Sequence, residues 1–182
     1  VKNKNKIIKH NTFWLSKSPD KVGSQLWYSL YPRICTTAVV ELENGDKVRV
    51  YNTHLDCFLP QARDFGLKKL SQFIDKNRKE EKLPVIVMGD FNATPDSKII
   101  KKFTAGEYNT DRFVAVQEVK RELYKKSTMS KFKGKENGLH IDYIFVSEDL
   151  EIVDVDIVKY NDNGSYPSDH YPLIADVRMK KI

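Results

Sequence analysis

Leu83-Pro84-Val85-Ile86-Val87-Met88-Gly89-Asp90-Phe91-Asn92 sets four consecutive apolar residues between a proline and a Gly-Asp-Phe-Asn tetrapeptide. A short apolar run of this kind, rich in β-branched residues and closed by turn-forming ones, reads as a central strand buried on both faces. Just upstream, from about Gln61 to Lys82, Ala62, Phe65, Leu70, Phe73 and Ile74 recur at helical spacing among Arg, Lys and Glu. That spacing predicts an amphipathic helix with one apolar stripe. A helix feeding a buried strand points to a layered domain of α/β or α+β class.

Working outward, Arg33 to Leu42 and Val48 to His54 are two β-branched runs around Asn44-Gly45, which predicts a hairpin whose turn takes positive φ at both of these residues. Thr12 to Ser16 has strand character and leads into a Pro, Gly and Ser loop. After the central strand, Asp96 or Ser97 can cap a short helix running through Phe103. The stretch from Thr104 to Gly138 reads mainly as surface loop holding one strand or helix. Ile141 to Val146, Ile152 to Val158 and Leu173 to Met179 read as closing strands.

At 182 residues and 40% hydrophobic content, residues 1–182 suit one domain with its own core, and no apolar run reaches the length of a bilayer span. Thirty-one Lys and Arg against 25 Asp and Glu give a net charge of +6, which favours encounter with polyanions. Much of the excess lies in Lys2 to Lys9, in the lysines from Lys125 to Lys135 and in Lys180 and Lys181, where it serves equally well as solubilising charge. Cys35 and Cys57 lack zinc-finger spacing; two buried free thiols are expected, with a disulfide across adjacent strands still open, and the compartment with it. No secretory signal pattern is visible, and the chain begins with Val1.

Four polar groups fall just past the apolar runs: Asn52-Thr53-His54-Leu55-Asp56, Gly89-Asp90-Phe91-Asn92, His140-Ile141-Asp142-Tyr143 and Ser168-Asp169-His170. Singly, each can be a turn or a cap. Together, in this order on one chain, they suit phosphoester hydrolysis, which must neutralise phosphoryl charge, activate a water and stabilise the leaving oxygen. Asp142 beside His170 would orient the ring and stabilise its charged form. Asp90 and Asn92 leave one strand together, so one can hold the water while the other donates to phosphate. Arg33 offers a fixed cation and His54 a further donor, while hard oxygen ligands such as Asp169 suit Mg²⁺ or Mn²⁺.

These blocks, with Tyr31-Pro32-Arg33-Ile34-Cys35-Thr36, Ala93-Thr94-Pro95-Asp96-Ser97 and Tyr166-Pro167 added, resemble the endonuclease/exonuclease/phosphatase family in content and order from about Thr12 to Val177. Phe13-Trp14-Leu15-Ser16, Pro19 and Gly23-Ser24 look like a bacterial branch of it. The resemblance implies a deoxyribonuclease-like four-layer α/β/β/α sandwich, of which this chain is mostly the second half. It implies that His170 is general base or transition-state stabiliser paired with Asp142, and that Asp90 positions or deprotonates the water. Asn92 becomes a phosphate or metal-shell contact, His54 serves the leaving-group side, Arg33 is a phosphate-side arginine, and Asp169 binds Mg²⁺ or Mn²⁺. Asp56 and Asp96 are expected to be structural.

The departure lies ahead of Thr12, where the family carries an Asn and a Gln-Glu motif whose Glu is a metal ligand, and nothing here resembles that half. A fragment of a longer protein, a partner chain supplying the missing part, and a crippled catalyst are the three expectations that follow. Loss of a first half should also expose apolar sheet surface. The substrate is expected to be a phosphoester, nucleic acid or a small phosphorylated molecule; the rival reading is a non-catalytic polyanion-binding module.

Overall fold

A computed structural model describes residues 4–180. The elements follow in the order β1 (Lys6–Trp14), β2 (Ile34–Glu41), β3 (Lys47–His54), α1 (Pro60–Glu80), β4 (Val85–Asp90), α2 (Lys98–Thr104), β5 (Phe113–Ala115), β6 (Asp142–Ser147), β7 (Leu150–Ile157) and β8 (Leu173–Met179). Single 3-10 turns at Val116–Val119 and Arg121–Lys125 follow β5. Six strands form one sheet in the order β1-β2-β3-β4-β6-β5, and β7 pairs with β8 in a second. Within the larger sheet β3 and β4 are parallel and every other neighbouring pair is antiparallel, because α1 carries the chain back from the end of β3 to the start of β4.

Strand periodicity sorts the core into two halves. On one face, Cys35, Tyr51, Val85, Val87 and Phe145 pack under Leu67, Leu70 and Ile74 of α1 and Ile99, Ile100 and Phe103 of α2. On the other, Val48 and Val146 meet Leu150, Val155 and Ile157 of the second sheet, with Tyr171. The result is the mixed helix, sheet, sheet stacking of a deoxyribonuclease-like sandwich, as expected.

Local chemistry explains most boundaries and several differences from the sequence reading. The hairpin forms, but only Gly45 takes positive φ, at +86°. Leu42 to Asp46 make a wider loop, in which Asn44 Oδ1 accepts the Asp46 amide at 3.2 Å. Helix α1 opens with Pro60 in its first turn, where the missing N–H costs nothing. Asp56 Oδ1 satisfies the Phe58 and Leu59 amides at 2.8 and 2.7 Å, the structural role expected of it. Ser97 is the residue preceding α2, yet its hydroxyl makes no capping bond. Strand β1 reaches back to Lys6, because pairing with β2 over its whole length outweighs a polar composition that conceals the strand. Lys2 and Lys181 lie outside the described residues. Cys35 is buried and free, whereas Cys57, expected to be buried, is exposed just past β3; neither is in a disulfide.

Candidate active site

Register assembles the site. The β3–β4 ladder sets His54 opposite Asp90, and the β4–β6 ladder sets Asp90 opposite Asp142, so one cross-strand row carries all three on the face away from α1. The row works because Gly89 lets β3 approach: its φ is +133°, and a Cβ built there would stand 1.8 Å from the Thr53 carbonyl oxygen. His170 enters from the turn before β8, through an isolated bridge between Met129 and His170.

The side chains then meet in a chain of contacts. His170 Nδ1 donates to Asp142 Oδ2 at 2.7 Å, since a carboxylate can only accept, and Nε2 is left facing Asp90 Oδ2 at 3.9 Å, too far for a direct bond. Asp90 Oδ2 also stands 3.2 Å from His54 Nε2, and here burial differs sharply: the His54 side chain is 56% exposed and that of Asp90 13%. Asp90 Oδ1 accepts the Asn92 amide at 2.7 Å, which locks the strand-end turn with Asn92 at φ +47°. His170 is held above the ordinary histidine value of 6.5, chiefly by its bond to Asp142 and against the effect of burial.

Behind the pair, the segment from Ser127 to Ser130 acts as a clasp. Thr128 Oγ1, fully buried, accepts the Ile141 and Asp142 amides at 3.0 and 3.2 Å. Its carbonyl accepts the Tyr171 amide at 2.7 Å. Ser130 Oγ donates to the Ser168 carbonyl at 3.1 Å, and Ser168 Oγ accepts the His170 amide at 3.1 Å. The start of β6 and the approach to β8 are thereby fixed to one short segment. His140, quoted in the same block as Asp142, is a core residue: Nδ1 donates to the Lys126 carbonyl, Nε2 accepts from Gln117, and burial holds its pKa down.

His54, Asp90, Asp142 and His170 are thus brought together, with Asn92 beside them. Asn92 gives one amide hydrogen to the Leu55 carbonyl at 3.0 Å, which leaves its other polar groups for a ligand. Arg33 does not join the cluster. The register Cys35 to Thr53 sets Ile34 on the His54 side of the sheet, and Arg33 lies in a crevice with Leu55, Asp56 and Ala62, its guanidinium 3.4 Å from Cys57 Sγ. Asp169 is exposed, and only its carbonyl is engaged, by the Ser130 and Lys131 amides. Asn52 had not been singled out from the sequence, although counting back two from His54 places it on the same face. It lines, with Met88, Asp142, Ile144, His170 and Tyr171, a cavity of about 280 Å³ beside the row.

Among the described residues, Asp90, Asp142 and His170 have ligand atoms within 4.8 Å of one another and can hold a metal ion; Asp169 is not in that group. Their chemistry fits a hard divalent cation, which takes one or two carboxylates and keeps its remaining positions for water and phosphate oxygen.

The helix, sheet, sheet sandwich thus carries a row of carboxylates and imidazoles at one end of its central sheet. Residues 13–170 match the sequence profile of the Endonuclease/Exonuclease/phosphatase family, and the chain belongs to that family. Its fold is similar to that of an endonuclease/exonuclease/phosphatase from Bacteroides vulgatus, at 27% identity and a TM-score of 0.80, over 98% of this chain and 68% of that one. A mannosyl-6-phosphatase from Bacteroides thetaiotaomicron superposes with a TM-score of 0.83 at 23% identity, over 98% and 68% of the two chains. The human Nocturnin catalytic domain, solved with a bound sulfate anion, gives a TM-score of 0.73 at 20% identity, over 99% and 62%. The chain therefore spans roughly two thirds of the length of these structures. No curated protein matches the sequence.

Proposed function

We propose that the row catalyses hydrolysis of a phosphoester by direct attack of water on phosphorus, and that it does so with Mg²⁺ or Mn²⁺. The observation that carries this reading is the asymmetry of His170: one ring nitrogen is fixed on Asp142 at 2.7 Å, and the other looks across 3.9 Å to Asp90. That gap suits a water or a phosphoryl oxygen held between a base and a cationic ring. Asp90 aligns and deprotonates the water, the Asp142–His170 pair stabilises charge as it builds on the phosphoryl group, and exposed His54 donates to the leaving oxygen. Asn92 supplies a neutral donor to phosphate, and Arg33 reaches the phosphate only if it leaves Cys57.

Asp90 and Asp142 would hold the cation, which when bound supplies charge neutralisation at the phosphoryl oxygens and lowers the pKa of water. Asp169 would reach such an ion only at the edge of the cluster. The choice among phosphodiesterase, nuclease and phosphatase activity is left to the substrate.

The test is hydrolysis of a chromogenic phosphodiester with and without Mg²⁺ or Mn²⁺, comparing the chain with its His170→Ala variant. Metal-dependent turnover that falls about 10²-fold or more in the variant is the expected result. Turnover that is equal in both proteins sinks the assignment of His170. Binding of polyanions with no turnover in either supports the non-catalytic module.

A further inference from the structure

Immediately after the clasp the chain turns through two residues that seldom allow it. Lys131 and Phe132 have φ of +54° and +57°, and the Lys133 amide closes the turn on the Ser130 carbonyl at 3.1 Å. Left-handed backbone at both central positions is the type I′ pattern, which Asn-Gly ordinarily fills. A bulky aromatic there is strained. The surroundings hold it in place: the Ser130 and Lys131 amides both bond the Asp169 carbonyl, at 2.6 and 2.9 Å. Gly134 leaves room for the Tyr166 ring, whose hydroxyl would stand 2.1 Å from an added Cβ. Strain maintained by so many anchors marks a side chain that the fold is built to present.

That side chain is Phe132, which is 58% exposed. It lies one residue beyond an amide bonded to the carbonyl that precedes His170. Lys131, Lys133 and Lys135 flank it, all exposed. Glu136, the one acid between Lys126 and Gly138, is already paired with Lys159 at 2.8 Å, so the lysine charge is not neutralised within the loop. An exposed ring amid regularly spaced cations matches a ligand that offers flat faces and repeated negative charge together. Sugar and inositol phosphates offer the charge without an aromatic face, a mononucleotide gathers its charge at one end of a single base, and a duplex hides its base faces by stacking. A single strand offers both.

We propose that the turn from Ser130 to Lys135 is a platform for single-stranded nucleic acid, on which Phe132 stacks against a base while Lys131, Lys133 and Lys135 neutralise neighbouring phosphates. The platform adjoins the His170 row and would deliver a backbone phosphodiester to it. Its delivery role rests on the hydrolase reading; binding does not.

Fluorescence anisotropy of labelled oligothymidylate and oligouridylate in EDTA measures binding without turnover. Phe132→Ala is expected to weaken both by roughly 5- to 100-fold, and Phe132→Trp to bind like the parent. Phe132→Gly relieves the backbone strain, so it keeps the fold while losing the ring, and it should lose affinity as Phe132→Ala does. Joint replacement of the three lysines by Ala should flatten the dependence of affinity on salt. Equal binding by Phe132→Ala and the parent overturns the proposal. So does a parent that binds neither oligonucleotide, and if that parent still hydrolyses a small diester, only the platform fails. Ring-dependent binding by a chain that hydrolyses nothing supports the platform and removes the hydrolase reading.

Discussion

Replacing Gly89 by Ala tests whether the site depends on the close approach of β3 and β4. The new Cβ would stand 1.8 Å from Thr53 O, against the 3.4 Å at which ordinary contact begins, so the strands must part locally by the difference, about 1.6 Å. The backbone at φ +133° adds its own penalty for any side chain. Strain of this kind costs roughly 1–3 kcal/mol, and weakening a ladder hydrogen bond adds about 1 more, so a loss of about 2–4 kcal/mol is expected in urea unfolding followed by circular dichroism. The same movement would take His54 Nε2 out of its 3.2 Å contact with Asp90. Displacements near 1 Å at a catalytic centre cost roughly 10²-fold in rate, so turnover of a phosphodiester should fall at least that far in the protein that stays folded. Gly45→Ala is the control, because Gly45 also has positive φ but nothing lies within 4 Å of its added Cβ. It should lose about 1 kcal/mol and no activity. A Gly89→Ala protein with the parent's unfolding midpoint and turnover would refute the reasoning.

Two further outcomes follow from the clasp and the histidine pair. Thr128→Val strips the Ile141 and Asp142 amides of their buried acceptor. It should cost roughly 1–3 kcal/mol and lower kcat with little change in KM, whereas Thr128→Ser restores both; a kcat that is unmoved would show that Asp142 is held by its strand alone. The pH dependence comes from His170, whose pKa is raised above 6.5 by Asp142. A raised folded-state pKa means that the folded protein binds the proton more tightly, so the pair's stabilisation is complete below 6.5 and disappears as pH rises through the raised value. Unfolding in EDTA should therefore show Asp142→Asn destabilised relative to the parent at acidic pH and much less so once the pH has passed the raised value. A gap that is constant with pH would remove the charge from that interaction.

The sequence placed the polar groups at strand ends, and four of them meet there, because apolar runs and their flanking turns are local signals. Which strands are neighbours is not local. Asp142 begins β6 and Asp90 ends β4, and only the antiparallel pairing of these two strands brings a start and an end to one row. Arg33 depends on the same information: it stands just ahead of β2, and the fold sets it in the crevice with Leu55, Asp56 and Ala62. Counting the pleat through the hairpin would have added Asn52. Thr128 lies in a segment without periodicity, where a buried hydroxyl looks like any other loop residue, and there the exposed aromatic Phe132 among lysines is legible but its left-handed backbone is not. Asp169, expected as a metal ligand from its place beside His170, is exposed and lies outside the cluster of Asp90, Asp142 and His170.

The face that carries the row also carries the least finished part of the core. Counting by twos, back from His54 and Asp90 and forward from Asp142, gives Asn52, Met88 and Ile144, then Val50, Ile86 and Val146. Of these, Val146 is buried by the second sheet, whereas Val50, Ile86 and Ile144, like Val40 on β2, are only partly covered. The two strands β7 and β8 pack nearest β6, and the apolar surface toward β2 and β3 has less above it. Any layer added there would remove apolar area from water at about 25 cal/mol per Å². It would also raise a wall along the cavity that Asn52 and Met88 share with His170. Core and site therefore share a boundary: what completes the second layer also sets how much water reaches Asp90 and how strongly the charges of the row are felt. On the proposed hydrolase reading, the strength of the row is in this sense a packing property, decided on the same sheet face two residues away.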